Sequence, residues 1–181
     1  MICQVLYRTR RGVEFMEPIM KAILTVCIAL AGLPVATTML LAETARESAP
    51  AGVSTFYDAL NAAPGKDVSR LLEQATAPNW VSCGTNDVCL PREQVIAAIA
   101  GRHKAIPDLR WEIKEVVESG NRVIVRGEAS GTPAGDFMGV RHGGKSFKLM
   151  SIDVHTIADG KLIRSYHLED WMGAVRQLSA Q

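Results

Sequence analysis

The stretch Gly143–Gln181, GGKSFKLMSIDVHTIADGKLIRSYHLEDWMGAVRQLSAQ, decides the fold. Two strand-like runs, Ser146–Ile157 and Leu162–Glu169, flank Asp159-Gly160. Asp-Gly between alternating, β-rich runs signals a hairpin, because both central residues of a type I′ turn need positive φ. A two-residue turn sets Ala158 opposite Lys161 and Ile157 opposite Leu162. His155 then faces Arg164, Asp153 faces Tyr166, Ser151 faces Leu168 and Leu149 faces Asp170. Strand side chains alternate, so the pairs from Leu149–Asp170 to Ile157–Leu162 share one face. The other face carries Met150, Ile152, Val154 and Ile163, then Ser165, His167 and Glu169. A face mixing ionisable and aliphatic side chains suits a pocket wall and equally a solvated sheet face. Alternation alone does not decide between them.

Upstream of the hairpin, helices precede strands. Val53, Phe56, Tyr57 and Leu60 fall at i, i+3, i+4 and i+7, one helical face, and Pro64-Gly65 ends that helix. Asp67 caps a second short helix that buries Val68, Leu71, Leu72 and Ala75. Asn79–Ser82 reads as a short strand containing Trp80. Pro91 fits the first turn of a third helix, Glu93 suits its positive end, and Ile96, Ile99 and His103 mark its inner face. Leu109, Trp111, Ile113 and Val117 alternate with polar residues as a half-buried strand. After the turn Ser119-Gly120-Asn121, the return strand Arg122–Ala129 puts Val123 and Val125 on one face and Ile124 and Arg126 on the other. The connection Ser130–Gly144 holds five glycines and Pro133. Its length favours a functional role, such as a lid over a pocket mouth. Trp171–Leu178 reads as a short closing helix.

The chain has 181 residues and a formal net charge of +1. With no basic block, nucleic acid is excluded as an expected partner. Met20-Lys21, the apolar run Ala22–Leu33, Pro34 and a second apolar piece ending at Leu40-Leu41-Ala42 have the form of a secretory signal. Met20 then reads as the true start, residues 1–42 as an upstream segment plus signal, 43–52 as a flexible lead and 53–181 as the domain. The expected location is secreted or periplasmic, with no stable membrane contact after cleavage. The rival reading is an uncleaved anchor, since about 20 apolar residues suffice to span a bilayer. Cleavage removes Cys3 and Cys27 and leaves Cys83 and Cys89. An even pair in an exported chain reads as a structural disulfide, the alternative being two reduced thiols. A metal site is not expected, because no second Cys pair or His-x-His motif lies nearby.

From Ile106 to Leu178 the chain resembles the SnoaL-like polyketide cyclases, also called ester cyclases. The matching pieces are Pro107-Asp108-Leu109, Gly131-Thr132, Gly135-Asp136-Phe137-Met138-Gly139, Gly144-Lys145, Ile152-Asp153, Asp159-Gly160-Lys161-Leu162-Ile163, and Asp170 followed by Arg176-Gln177-Leu178. Their order, rather than any one piece, carries the likeness. The resemblance implies an α+β, cone-shaped barrel of the nuclear transport factor 2-like kind, a curved antiparallel sheet closed by N-terminal helices over a pocket. It also implies aldol ring closure without a cofactor. The same fold hosts isomerases, dehydratases, epoxide hydrolases and non-catalytic binding domains, so fold alone does not fix function.

By that resemblance Asp170 is the general acid–base, although an Asp ahead of Trp171-Met172-Gly173 is also a natural helix N-cap. His155, on the same expected face, exchanges protons near neutral pH or sits satisfied in a pocket wall. Tyr166, Arg164, Asp153 and Trp80 are the expected substrate-binding residues. Arg164 and Asp153 have cross-strand pairing as their alternative, and Trp80, with Trp111 and Phe56, has core packing. His167 falls on the far face as a structural or dimer-contact residue. No nucleophile elbow, phosphate loop, dinucleotide fingerprint or His-Glu-x-x-His is present. What remains is cofactor-free proton transfer on a small apolar carbonyl or ester ligand, simple binding of such a ligand, or an accessory role through dimerisation. A homodimer across the apolar face of Met150, Ile152, Val154 and Ile163 is expected.

Overall fold

A computed structural model describes residues 48–141 and 143–180. The expected upstream segment, signal and most of the lead lie outside the described residues, as does His142. Among the described residues, α1 (Ala51–Leu60) and α2 (Val68–Ala75) precede β1 (Thr76–Cys83), β2 (Cys89–Pro91) and α3 (Arg92–Ala105). Then come β3 (Arg110–Ser119), β4 (Arg122–Gly131), β5 (Phe147–Ala158), β6 (Lys161–Glu169) and α4 (Trp171–Ser179). The six strands form one curved sheet in the order β2-β1-β6-β5-β4-β3. The architecture is the expected α+β one, with one refinement. The sheet is mixed and open, because β1 runs parallel to β6 while every other pair is antiparallel.

The helices form where the sequence places them. Val53, Phe56, Tyr57 and Leu60 of α1 are all buried against the sheet. Gly52 is needed where α1 crosses the β5–β6 turn, since a Cβ there would stand 2.5 Å from the Gly160 carbonyl oxygen. The Asp67 side chain caps α2 by accepting from the Arg70 N–H at 2.9 Å. Helix α3 turns Ile99 and Ile96 to the core as expected, and its inner face is wider than the expected one. Val95, Ala98, Ile99 and Arg102, at i, i+3, i+4 and i+7, face a cavity, while His103 bonds sideways to the Leu60 carbonyl at 3.0 Å. The connection after β4 folds over α4, with Phe137 packing on Trp171 and the Ala134 N–H donating to the Ala105 carbonyl.

Two bulges change which side chains face inward. The turn itself is the expected type, with Asp159 at φ 51° and Gly160 at φ 72°. Ala158 pairs with Lys161 and Ile157 with Leu162, but Thr156 pairs with Arg164, so Ile163 is an extra residue on β6. Beyond it the register expected from the sequence is corrected by one: His155 faces Ser165, Asp153 faces His167 and Ser151 faces Glu169. A one-residue slip exchanges the two faces of a strand. A second bulge at Lys114 turns Val116 inward and leaves Val117 exposed.

Candidate functional site

The inner face of β5 and β6 is a ladder of polar side chains in a mostly apolar setting. Ser151 and Glu169 form one rung, Asp153 and His167 the next, and His155 and Ser165 the third, continued by Ser82 of β1. The first two rungs open into a cavity of about 270 Å³, which Asp153, His167 and Glu169 line. Its other walls are Phe56 and Leu60 of α1, the cavity face of α3, Trp111 of β3 and the β1–β2 loop. That loop is held by the Cys83–Cys89 disulfide, which joins residues directly opposite one another on β1 and β2. Gly84 brings its backbone against the His167 ring, where a Cβ would lie 3.5 Å from both Cε1 and Nε2. The loop at the cavity is therefore the disulfide-bonded one. No described residue of the expected lid, Ser130–Gly144, is among the lining residues.

The electrostatics of the cluster follow from burial and pairing. Asp153 is 5 % exposed and accepts a 2.5 Å hydrogen bond at Oδ2 from the Tyr57 hydroxyl. Burial pushes its pKa up to about 6, the Tyr57 bond opposes that rise, and the Glu169 charge adds to it. Burial and the Asp153 charge push the Tyr57 phenol well above its ordinary value, so it remains a donor. His167 Nδ1 lies 3.6 Å from Glu169 Oε1, and this carboxylate holds the imidazole above its usual pKa against the effect of burial. Burial alone would raise Glu169, but His167, Arg102 and the Trp171 N–H keep it below the usual carboxylate range. Trp171 Nε1 donates to Glu169 Oε2 at 2.5 Å. The site thus holds a carboxyl titrating near pH 6 beside a stabilised imidazolium–carboxylate pair.

The residues expected from the sequence are distributed as follows. Asp153 is in the cavity. His155 lies outside the cavity lining, fully buried, with Nδ1 2.8 Å from Ser165 Oγ and the Phe56 ring at 5.4 Å. Burial lowers its pKa to about 4, so it is a neutral core histidine. Trp80 is buried beside it and donates to Ser165 Oγ at 3.0 Å. The bulge turns Arg164 and Tyr166 to the outer face, where the guanidinium donates to the Tyr166 hydroxyl at 3.3 Å. Asp170 is exposed and caps α4, accepting from the Gly173 N–H at 2.8 Å with Arg176 4.0 Å away.

Sequence reasoning missed His167, Glu169 and Arg102 as cavity groups and Tyr57 as the donor to Asp153. The extra residue Ile163 places Ser165, His167 and Glu169 inside, and no residue type in the sequence marks it. The unbroken apolar run Val95–Ala100 hides the face of α3 that carries Arg102.

Comparison with known proteins adds the family. A sequence comparison with curated proteins gives no match. Among solved structures, IdmH of Streptomyces antibioticus, assigned as a polyketide cyclase, is 24 % identical with a TM-score of 0.62, over 71 % of this chain and 96 % of its own. A SnoaL-like polyketide cyclase assigned in Jannaschia sp. CCS1 is also 24 % identical, with a TM-score of 0.60 over 72 % and 92 %. TsrD of Streptomyces laurentii is 26 % identical, with a TM-score of 0.60 over 74 % and 98 %. These likenesses bear on the fold, the cone-shaped, nuclear transport factor 2-like one. The family model for SnoaL-like polyketide cyclases matches residues 52–178, a span that takes in every cavity-lining residue. The chain belongs to the SnoaL-like polyketide cyclase family.

Proposed function

We propose that this protein is a cofactor-free acid–base catalyst that moves a proton on carbon next to a carbonyl, in the manner of an aldol cyclase or an isomerase. The observation that carries the reading is Asp153: a buried carboxyl lining an apolar cavity, with a pKa near 6 and His167 directly opposite. A base works best when its pKa lies near the working pH. Tyr57 fixes Oδ2 of Asp153 and leaves Oδ1 to take the proton. The imidazolium of His167, held charged by Glu169, donates to the oxygen that becomes an enolate. In the cyclase version the α C–H bond breaks toward Asp153, the enolate carbon forms a C–C bond to a second carbonyl, and the new alkoxide takes its proton from His167, which the proton held by Asp153 then restores. In the isomerase version Asp153 returns the proton to another carbon. Asp170, by contrast, is assigned the capping role its geometry gives it.

The test is deuterium uptake at the α-carbons of 4-phenylbutan-2-one in D₂O, followed by NMR. Wild-type protein is expected to speed the exchange over buffer at neutral pH. Saturable binding with no acceleration would refute catalysis and favour the second reading, a small-molecule binding domain of the same fold, which the mostly apolar cavity wall supports.

Self-association belongs to the same reading. The outer sheet face exposes Met150 and Leu168, with Ile152 and Val154 between the flanking strands. A two-fold dimer across it would cover that apolar surface. Sedimentation as a monomer at micromolar concentration would reject the dimer.

A further inference from the structure

The cavity holds a hydrogen-bond donor that proton transfer at Asp153 and His167 does not use. It is the Arg102 guanidinium, on the cavity face of α3. It sits over the Trp171 ring, 5.7 Å from the centroid, and makes no ion pair within 4.0 Å among the described residues. Glu169 lies close enough to feel its charge, yet that carboxylate is already engaged by His167 and by Trp171 Nε1. Trp111, 4 % exposed, gives the cavity part of its wall through its ring, while its Nε1 is sealed from solvent. Its backbone is fixed by Asn61, whose Oδ1 accepts from the Trp111 N–H at 2.5 Å.

An unpaired charge is costly once water leaves. A guanidinium offers two parallel N–H bonds that match a carboxylate. Resting on the reading of this cavity as the reaction site, we infer that its ligand is an amphipathic keto acid. The carboxylate pairs with Arg102, and the apolar body lies along Phe56, Leu60, Val95 and Ile99. A cavity of about 270 Å³ has room for about nine water volumes at roughly 30 Å³ each. That suits an acid with a single ring rather than a fused polycycle. A neutral ketone or ester would strip water from Arg102 and return at most a neutral acceptor, without the charge or the paired oxygens of a carboxylate.

The experiment compares 2-oxo-4-phenylbutanoate with 4-phenylbutan-2-one by calorimetry, in the wild type and in Asp153→Asn, so that binding is read apart from proton transfer. The acid is expected to bind at least about ten-fold more tightly than the ketone, the worth of a hydrogen bond to a charged group. Arg102→Met should erase that preference, lowering affinity for the acid and raising it for the ketone, which no longer strips water from a charge, while Arg102→Lys keeps part of it. Equal affinities in the wild type, or a preference that survives Arg102→Met, would overturn the inference. So would equal weakening toward both probes in that variant, which would make Arg102 a shaper of the cavity rather than a reader of anions. A carboxylate preference in a protein that accelerates no exchange would keep this inference and sink the acid–base reading; exchange without preference would do the reverse.

Discussion

Two buried groups of the β5 inner face tie stability to pH with opposite signs, and a single substitution should unmask one of them. Asp153 has a folded pKa raised from 3.8 to about 6. Its stabilising contribution is full below 3.8 and is lost as pH rises through 6. The difference of about two units corresponds to about 3 kcal/mol. His155 has a folded pKa lowered from 6.5 to about 4. Its contribution is full above 6.5 and is lost as pH falls through 4, again about 3 kcal/mol. Across pH 4 to 6.5 the two nearly cancel, so the wild type should show a shallow profile there. Asp153→Asn keeps the shape of the side chain and an acceptor for the Tyr57 hydroxyl but removes the titration. In that variant the His155 slope stands alone, and stability should rise by about 3 kcal/mol from pH 4 to 6.5. Glu169 enters mainly below 4.5 and His167 mainly above 6.5, because their shifts are downward and upward from those values. Urea melts at half-unit pH steps, with the disulfide intact in both proteins, read the difference directly. Curves that run parallel from pH 4 to 6.5 would refute a raised pKa at Asp153 and with it the poised base.

Tyr57→Phe removes the donor to Asp153 and should move the lower limb of the exchange-rate profile to higher pH, at a stability cost of about 1–3 kcal/mol for the hydrogen bond to a charged group; an unmoved limb would count against the bond. Asp170→Asn should leave exchange and stability unchanged, while Asp170→Ala should lose about 1 kcal/mol on urea melting; a large activity loss in the Asn form would restore Asp170 as a catalytic group. Replacing Cys83 and Cys89 together by Ser should lower stability by roughly 2 kcal/mol and raise KM, because the freed Gly84 loop forms part of the cavity wall beside His167. The proposed export predicts that protein recovered from an oxidising compartment begins near Glu43 and carries the bridge, which intact mass would show; an uncut, reduced chain would contradict it.

Much of this was legible in the sequence, and the illegible part has one physical source. Positions i, i+3, i+4 and i+7 in Val53–Leu60 announced α1 and its buried face, Asp67 announced a cap, and Cys83 with Cys89 announced the bridge. The Asp159-Gly160 turn and the alternation of Ser151, Asp153 and His155 came through intact. The facing of β6 did not, because one added residue at Ile163 exchanges its two faces. Alternation then favours Leu168 as an inner residue, and Leu168 proves to be 72 % exposed. Arg164 and Tyr166 went out with it, and His167 and Glu169 came in. Asp170 carried two readings that periodicity could not separate; the bond from Gly173 N–H shows the cap.

The central claim is that Asp153 takes the proton. Its most direct test is the α-proton exchange rate of 4-phenylbutan-2-one in Asp153→Asn against wild type, at saturating ketone and neutral pH, with Asp170→Asn run beside them. The account predicts that Asp153→Asn binds the ketone as the parent does but loses about two orders of magnitude or more in exchange, while Asp170→Asn exchanges at the parent rate. Exchange undiminished in Asp153→Asn would contradict it.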